Sequence, residues 1–118
     1  MTLIIIDTSL LIDLPTIGLN LIGALEDLDL EPLVPSSVLK EITYFKTPRH
    51  KKYLEIFLKH CKVVEDNLLN QNSFDKTTYK YQYGTTNYLS LDKHFLKQLK
   101  KTSFTVFTLR RNRIIKLN

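Results

Sequence analysis

The sequence predicts an α/β fold with a mostly parallel sheet of about five strands. Short apolar runs that end in turn residues recur along the chain, and segments with helical spacing lie between them. The first run, residues 3–6, is apolar throughout and leads into Asp7, Thr8 and Ser9, which is typical of a strand buried on both faces. Strands that alternate with helices form βαβ units, and the 118 residues suit one domain spanning 1–118.

The elements of the first half begin with this strand. Thr8 or Ser9 can cap a short helix over 9–14, which Pro15 ends. The elements predicted next are a helix over 17–28, a strand over 30–34, a helix over 38–45, a helix over 51–60 and a strand over 62–64.

The second half continues the alternation. Gly84 provides a C-terminal cap for one helix, and Asp92 provides an N-terminal cap for the next. The predicted elements are a loop over 67–73, a helix over 74–83, a strand over 85–91, a helix over 93–101, a strand over 104–109 and a last short strand over 114–117.

Charge is distributed very unevenly along the chain. Residues 1–39 contain six acids and no lysine or arginine, whereas residues 40–118 carry all 17 bases and the other six acids. Such asymmetry suggests a polyanion, most plausibly nucleic acid, as the partner of the second part. Lysine-rich helix faces that simply contact water explain the charge equally well.

Composition excludes several other classes of protein. Cys61 is the only cysteine, so no intrachain disulfide can form, which fits a reducing compartment. No apolar stretch is long enough to span a membrane, and no secretory signal pattern opens the chain. We therefore expect a cytoplasmic protein without a membrane partner.

Four acids stand at positions that suggest chemistry. Asp7 and Asp92 each follow a strand, so both are expected at the same edge of a parallel sheet, where ligands bind in α/β folds. Glu41 falls beside the apolar stripe of its helix, and Asp75 begins the next amphipathic segment. Each acid also has a simpler explanation, as a helix cap or as the partner of a lysine.

The four acids are more informative together than singly. Two carboxylates about 5 Å apart repel by roughly 3 kcal/mol at an effective dielectric constant of about 20. Convergence of several carboxylates therefore calls for a cation, and hard oxygen ligands favour Mg²⁺ or Mn²⁺ over Zn²⁺. Such ions support hydrolysis of phosphodiesters, so an acidic crevice beside a basic surface indicates a nuclease.

Three segments resemble the PIN domain family. They are Ile-Ile-Ile-Asp-Thr-Ser ending at Ser9, Val-Pro-Ser-Ser-Val-Leu-Lys-Glu-Ile around Glu41, and Tyr-Leu-Ser-Leu-Asp-Lys-His-Phe-Leu around Asp92. The resemblance covers essentially the whole chain and is closest to small archaeal PIN proteins, which include VapC-type toxins and relatives of rRNA-processing nucleases. It implies a three-layer α/β/α sandwich and Mg²⁺- or Mn²⁺-dependent endonucleolytic cleavage of single-stranded RNA.

The resemblance also assigns site residues. Asp7 and Asp92 match the first and last acids of the family site, Glu41 matches the acid in the helix after the second strand, and Asp75 falls near the remaining acid. All four are therefore expected to be catalytic and to bind metal. Ser9 and Ser90 stand where the family has small polar residues that orient a metal-bound water. The segment after Asp75 departs from the family pattern because it is rich in tyrosine.

The partners are less sharply specified. Candidate RNA-binding residues, chosen for charge or for stacking, are Lys80, Tyr81, Lys93, Arg110, Arg111 and Arg113. The sequence leaves three protein partners open, namely an antitoxin, a ribosome-assembly partner and a second copy of the chain. The first functional interpretation is a toxin or RNA-processing ribonuclease.

Two other interpretations compete with the ribonuclease. One is a catalytically inactive PIN-fold module that binds RNA or a protein. The other is a receiver-like or phosphatase-like domain, which also places an aspartate after its first strand. The phosphatase class expects a second aspartate two residues later, where this chain has Ser9.

Overall fold

The computed structural model describes residues 2–41, 47–65, 87–101 and 104–118, apart from the side chains of Ser37, Lys40 and Glu41. The strands are β1 (Thr2–Ile6), β2 (Leu30–Pro35), β3 (Lys62–Val64), β4 (Asn87–Leu89), β5 (Thr105–Arg110) and β6 (Arg113–Lys116). The helices are α1 (Thr8–Ile12), α2 (Leu14–Ile17), α3 (Asn20–Asp27), α4 (Ser36–Glu41), α5 (Pro48–Leu58) and α6 (Lys93–Lys100).

The strands form one six-stranded sheet in the order β3-β2-β1-β4-β5-β6. All neighbouring pairs are parallel except β5 and β6, which form an antiparallel hairpin. The predicted mostly parallel α/β sheet of about five strands is confirmed, and the sixth strand is the short last strand predicted over 114–117, which pairs antiparallel with β5. Because β1, β4 and β5 run in the same direction, their carboxyl ends share one edge of the sheet, which we call the carboxyl rim.

Helices cover both faces of the sheet. One apolar cluster joins residues of α1 to α5 to one face, and a second joins α6 to the other face. Ile4, Ile5 and Ile6 of β1 have no exposed surface because the strand lies between these two layers. The predicted three-layer α/β/α arrangement is therefore confirmed, with β1 as its central strand.

The boundaries of several elements differ from the prediction. Helix α3 begins at Asn20 rather than at residue 17, α4 begins at Ser36 rather than at residue 38, and β4 ends at Leu89 rather than at residue 91.

Two further differences involve proline. Pro15 does not end the first helix but lies in the first turn of α2, where its missing N–H removes no hydrogen bond. Helix α5 begins at Pro48 rather than at residue 51, because Pro48 occupies the same favourable position and the Thr47 hydroxyl accepts a hydrogen bond from the His50 N–H at 3.1 Å. The differences at Pro15 and Pro48 both arise because proline is well tolerated in the first turn of a helix.

Some predicted elements lie outside the described residues. They are the loop over 67–73, the helix over 74–83, and the part of the 38–45 helix that follows Glu41. No helix in the described ranges is long and apolar enough to cross a membrane.

Candidate active site

The candidate site lies where the order of the sheet reverses. From β1 the chain proceeds to β2 and β3 on one side, and β4 begins the other side. The crevice at the carboxyl ends of two such strands is the usual ligand site of open α/β sheets. Asp7 follows β1 at this point, and Ser90 follows β4 beside it.

Two serine hydroxyls hold the Asp7 carboxylate. Ser9 Oγ donates to Asp7 Oδ2 at 2.8 Å, and Ser90 Oγ donates to the same oxygen at 2.7 Å. The two hydroxyl oxygens lie 3.3 Å apart. Hydrogen bonds to a carboxylate are stronger than neutral ones, so this pair fixes the orientation of Asp7.

Each hydroxyl also anchors the segment that follows β4. Ser9 Oγ accepts the Leu91 N–H at 3.0 Å, and Ser90 Oγ accepts the Asp92 N–H at 3.1 Å. The Thr108 hydroxyl donates to the Ser90 carbonyl at 2.9 Å. Asp7, Ser90 and Thr108 thus form a polar row across β1, β4 and β5, and Ser90 within it has no exposed surface.

A buried tyrosine contacts the other oxygen of Asp7. The Tyr88 hydroxyl lies 3.5 Å from Asp7 Oδ1, at the long limit for a hydrogen bond. The Tyr88 ring stacks on Phe95 with centroids 5.4 Å apart and meets Phe104 edge-on at 6.1 Å. The apolar cluster around α6 therefore holds Tyr88 with its hydroxyl toward the rim.

Asp92 has a different environment. It is the N-cap of α6, and its Oδ1 accepts the His94 N–H at 3.0 Å and the Phe95 N–H at 3.2 Å. Asp7 occupies the equivalent position before α1 but makes no side-chain cap hydrogen bond. The prediction that Asp92 caps its helix is confirmed.

The structure places the predicted acids unequally. Asp7, Ser9 and Ser90 are joined by hydrogen bonds, and the Asp92 N–H connects Asp92 to the same group. The backbone of Glu41 ends α4, which packs against α1 and β2, but its side chain is outside the described set. Asp75 is outside the described residues, and so are Lys80 and Tyr81.

The described part of the chain contains no group of three or more His, Cys, Asp or Glu side chains that is arranged to hold a metal ion. The convergence of four acids therefore stays a prediction, because two of the four side chains lie outside that part. The donors that are described are carboxylate and hydroxyl oxygens, which suit Mg²⁺ or Mn²⁺. Cys61 supplies no thiolate: its thiol donates to the Phe57 carbonyl, and burial raises its pKa to about 12.

The four described RNA-binding candidates are exposed and lie at the carboxyl rim. Lys93 begins α6, Arg110 ends β5, and Arg113 begins β6. Arg111 lies in the turn between these two strands with a φ of 50°.

Two residues of the site were not anticipated from the sequence. Tyr88 lies in a predicted strand and opens the third PIN-like segment, but the sequence predicts no role in the site for it or for Thr108. Thr108 carries only a weak signal: a buried hydroxyl needs a hydrogen-bond partner, but the strand also contains Thr105, and the sequence does not show which of the two is buried. Tyr88 carried none, because tyrosine is common in strands.

Comparison with solved structures identifies the fold. A PIN domain endonuclease, Utp24, superposes with a TM-score of 0.66 over 97% of this chain and 90% of that chain, at 17% sequence identity. No protein-family model matches the sequence, and no curated protein is significantly similar to it. The chain therefore has the fold of a PIN domain, at a sequence distance at which the likeness concerns the fold alone.

Proposed function

We propose that this chain is a metal-dependent endoribonuclease that cleaves single-stranded RNA at the carboxyl rim. The observation that carries the proposal is the environment of Asp7. Asp7 precedes a helix that its carboxylate does not cap. The hydroxyl of Ser9, two residues along the chain, and that of Ser90, 83 residues away, hold the carboxylate where the strand order of the sheet reverses. These hydrogen bonds satisfy the two hydroxyls and join the ends of β1 and β4, and they also hold the carboxylate in one orientation, which suits a metal ligand. The endonuclease fold of the chain supports the same assignment.

In this proposal the metal ligands are Asp7, Glu41, Asp75 and Asp92, and the ion is Mg²⁺ or Mn²⁺. A divalent cation held by carboxylates supplies an activated water and offsets the charge that develops on the leaving oxygen of a phosphodiester. Asp92 retains Oδ2 for this task, because both of its cap hydrogen bonds are to Oδ1.

Ser9 and Ser90 have two tasks in the proposed site. Each hydroxyl gives its proton to Asp7 and accepts one backbone N–H, which leaves one lone pair. The proton fixes the carboxylate, and the remaining lone pair of the half-buried Ser9 hydroxyl can accept a hydrogen bond from the attacking water. Ser90 has no exposed surface, so its water-orienting role stays a prediction that requires the site to open when the metal and the RNA bind.

A second candidate function is a non-catalytic module of the same fold that binds RNA or a protein. The cap at Asp92 favours it, because capping alone accounts for that aspartate without a metal. Toxin activity with an antitoxin partner and rRNA processing with a ribosome-assembly partner are both compatible with the proposed nuclease.

The proposal is tested by cleavage of a fluorescently labelled single-stranded RNA by the purified chain. We expect cleavage in Mn²⁺ or Mg²⁺ and none in EDTA. Asp7→Asn should abolish cleavage and leave the circular dichroism spectrum unchanged, because the amide oxygen can still accept the serine hydroxyls. Cleavage in EDTA, or full activity of Asp7→Asn, would overturn the proposal.

Asp27→Asn is the matched control. Asp27 is exposed at the end of α3, just before β2 begins, and therefore lies at the edge of the sheet opposite the carboxyl rim. The same loss of one carboxylate there should leave cleavage unchanged. A folded wild-type chain that binds RNA without cutting it would support the non-catalytic module instead.

A further inference from the structure

The turn between β5 and β6 carries three arginines in an arrangement that local structure does not favour. Arg110 and Arg113 face each other across the antiparallel pair, and like charges in that position destabilise a hairpin. Arg111 and Asn112 form the two-residue loop with φ values of 50° and 63°. Positive φ at both loop residues is the signature of a type I′ turn, which prefers Asn or Gly to Arg.

No stabilising partner offsets this cost within the described residues. The three guanidinium groups are exposed and make no ion pair or side-chain hydrogen bond with another described residue. Departures from local preference are expected where a segment serves function rather than stability. The basic hairpin, defined as residues 110–113, therefore has the character of a binding element.

Its position connects it to the candidate active site. Val106 and Thr108 of β5 face the α6 side of the sheet, and alternation along the strand puts Arg110 on the same side. Asp7 and Ser90 lie on that side as well, since Asp7 contacts Tyr88 of the same apolar cluster. Arg113 shares the face of Arg110 because the two residues are paired.

The separation suits one extended ligand. Arg110 lies two residues beyond Thr108 of the polar row, or about 7 Å along the strand. β5 is the second strand from β1, which corresponds to about 10 Å across the sheet. A polyanion that passes over Asp7 along the rim therefore reaches the hairpin within a short distance.

We infer that the basic hairpin binds backbone phosphates of the RNA strand next to the scissile position, so that it holds the strand across the carboxyl rim. This inference rests on the proposed ribonuclease function. It assigns Arg110, Arg111 and Arg113 to substrate binding rather than to the chemical step. Phosphate contacts of this kind position a nucleic acid without reading its sequence.

The test is fluorescence anisotropy of labelled single-stranded RNA in EDTA, where no metal-dependent cleavage occurs, at several salt concentrations. Arg113→Gln should weaken binding about fivefold at low salt and reduce the slope of log K against log salt by about 0.7. Lys116→Gln is the matched control, because Lys116 is exposed at the other end of β6. It should change neither the affinity nor the slope.

Arg111→Asn separates binding from folding. Asparagine suits the positive φ of this position, so the melting temperature should stay the same or rise while RNA affinity falls. Unchanged affinity and slope in both arginine variants, or an equal loss in Lys116→Gln, would overturn the inference.

The cleavage assay distinguishes this inference from the proposed function. If the inference is correct, the arginine variants raise KM in Mn²⁺ and leave kcat unchanged. If cleavage depends on the metal but is unchanged in the arginine variants, the role of the hairpin in RNA binding is refuted and the proposed nuclease function is retained. If RNA binding depends on the arginines but no cleavage occurs, the proposed nuclease function is refuted and the role of the hairpin in RNA binding is retained.

Discussion

Asp7 and Asp92 follow neighbouring parallel strands and precede helices, yet their carboxylates do different things. Asp92 caps α6 through Oδ1, with hydrogen bonds from His94 and Phe95. Asp7 stands at the same position before α1, and its carboxylate instead accepts hydroxyls from Ser9 and Ser90.

This difference shows which aspartate needs a functional explanation. Capping satisfies the free N–H groups at the start of α6, so Asp92 has a structural task whether or not it binds a metal. Asp7 does not cap its helix, and its carboxylate instead accepts two hydroxyls that fix its orientation. A group that is held by others, rather than holding others, is the stronger candidate for chemistry.

After the loss of cleavage expected in Asp7→Asn, the largest effect on the cleavage rate comes from moving the Asp7 carboxylate without removing its charge. Asp7→Glu lengthens the side chain by one methylene, so the carboxylate leaves the position fixed by the two serines. A displacement of about 1 Å can cost about 100-fold in rate, and we expect a loss of this size in metal-dependent RNA cleavage. Asp27→Glu is the control and should cleave normally. Wild-type rates in Asp7→Glu would mean that the orientation of Asp7 is irrelevant.

The second largest predicted effect is the rise in melting temperature that metal binding produces. A ligand at ten times its Kd stabilises the native state by about 1.4 kcal/mol, which raises the melting temperature by about 5 °C for a chain of this size. Mn²⁺ should produce this shift in the wild type and a much smaller one in Asp7→Asn. Differential scanning fluorimetry with and without Mn²⁺ measures it, and Ca²⁺-free buffer with EDTA gives the baseline. An equal shift in both proteins would place the ion away from Asp7.

Variants of Asp92 distinguish its helix-capping role from the role of its charge, and the expected change in melting temperature is slightly smaller. Asn is as good an N-cap as Asp, whereas Ala removes the cap at a cost of about 1 kcal/mol. Without metal, Asp92→Ala should therefore melt about 4 °C below the wild type and Asp92→Asn close to it. If Asp92 also binds metal, Asp92→Asn loses cleavage despite its normal stability. Full activity of a stable Asp92→Asn would leave capping as the only role of this residue.

The fold was predictable because its signals are local. Residues 3–6 read as a buried strand, and β1 is buried on both faces as expected. Pro15 misled the prediction because proline both ends helices and begins them, and its neighbours do not decide between the two. The extra antiparallel strand was visible as a short apolar run, but its pairing with β5 depends on a turn with positive φ at two non-glycine residues.

The candidate site was predictable in its members but not in its contacts. The position of Asp7 at a strand end follows from the sequence, whereas Ser90 is predicted inside a strand over 85–91 that ends at Leu89 in the structure. Their hydrogen bond joins residues 83 positions apart and depends on the register that pairs Ile5 with Tyr88, which no local pattern encodes. Thr108 and Tyr88 were missed for the same reason, since their roles depend on which strands are neighbours.

The smallest predicted effect is on the free energy of unfolding, and it shows whether the two serines act together on Asp7. Both hydroxyls donate to Oδ2, so each hydrogen bond is weakened by the other, and loss of one strengthens the one that is left. We therefore expect Ser9→Ala with Ser90→Ala to cost about 0.8 kcal/mol more than the sum of the single variants in urea unfolding. Thr47→Ala removes the cap of α5 and shares no hydrogen-bond partner with Ser9, so its combination with Ser9→Ala should be additive. If the two serine variants are additive, the two hydroxyls hold Asp7 independently. The difference between Asp7 and Asp92 would then consist only in the absence of a helix cap at Asp7.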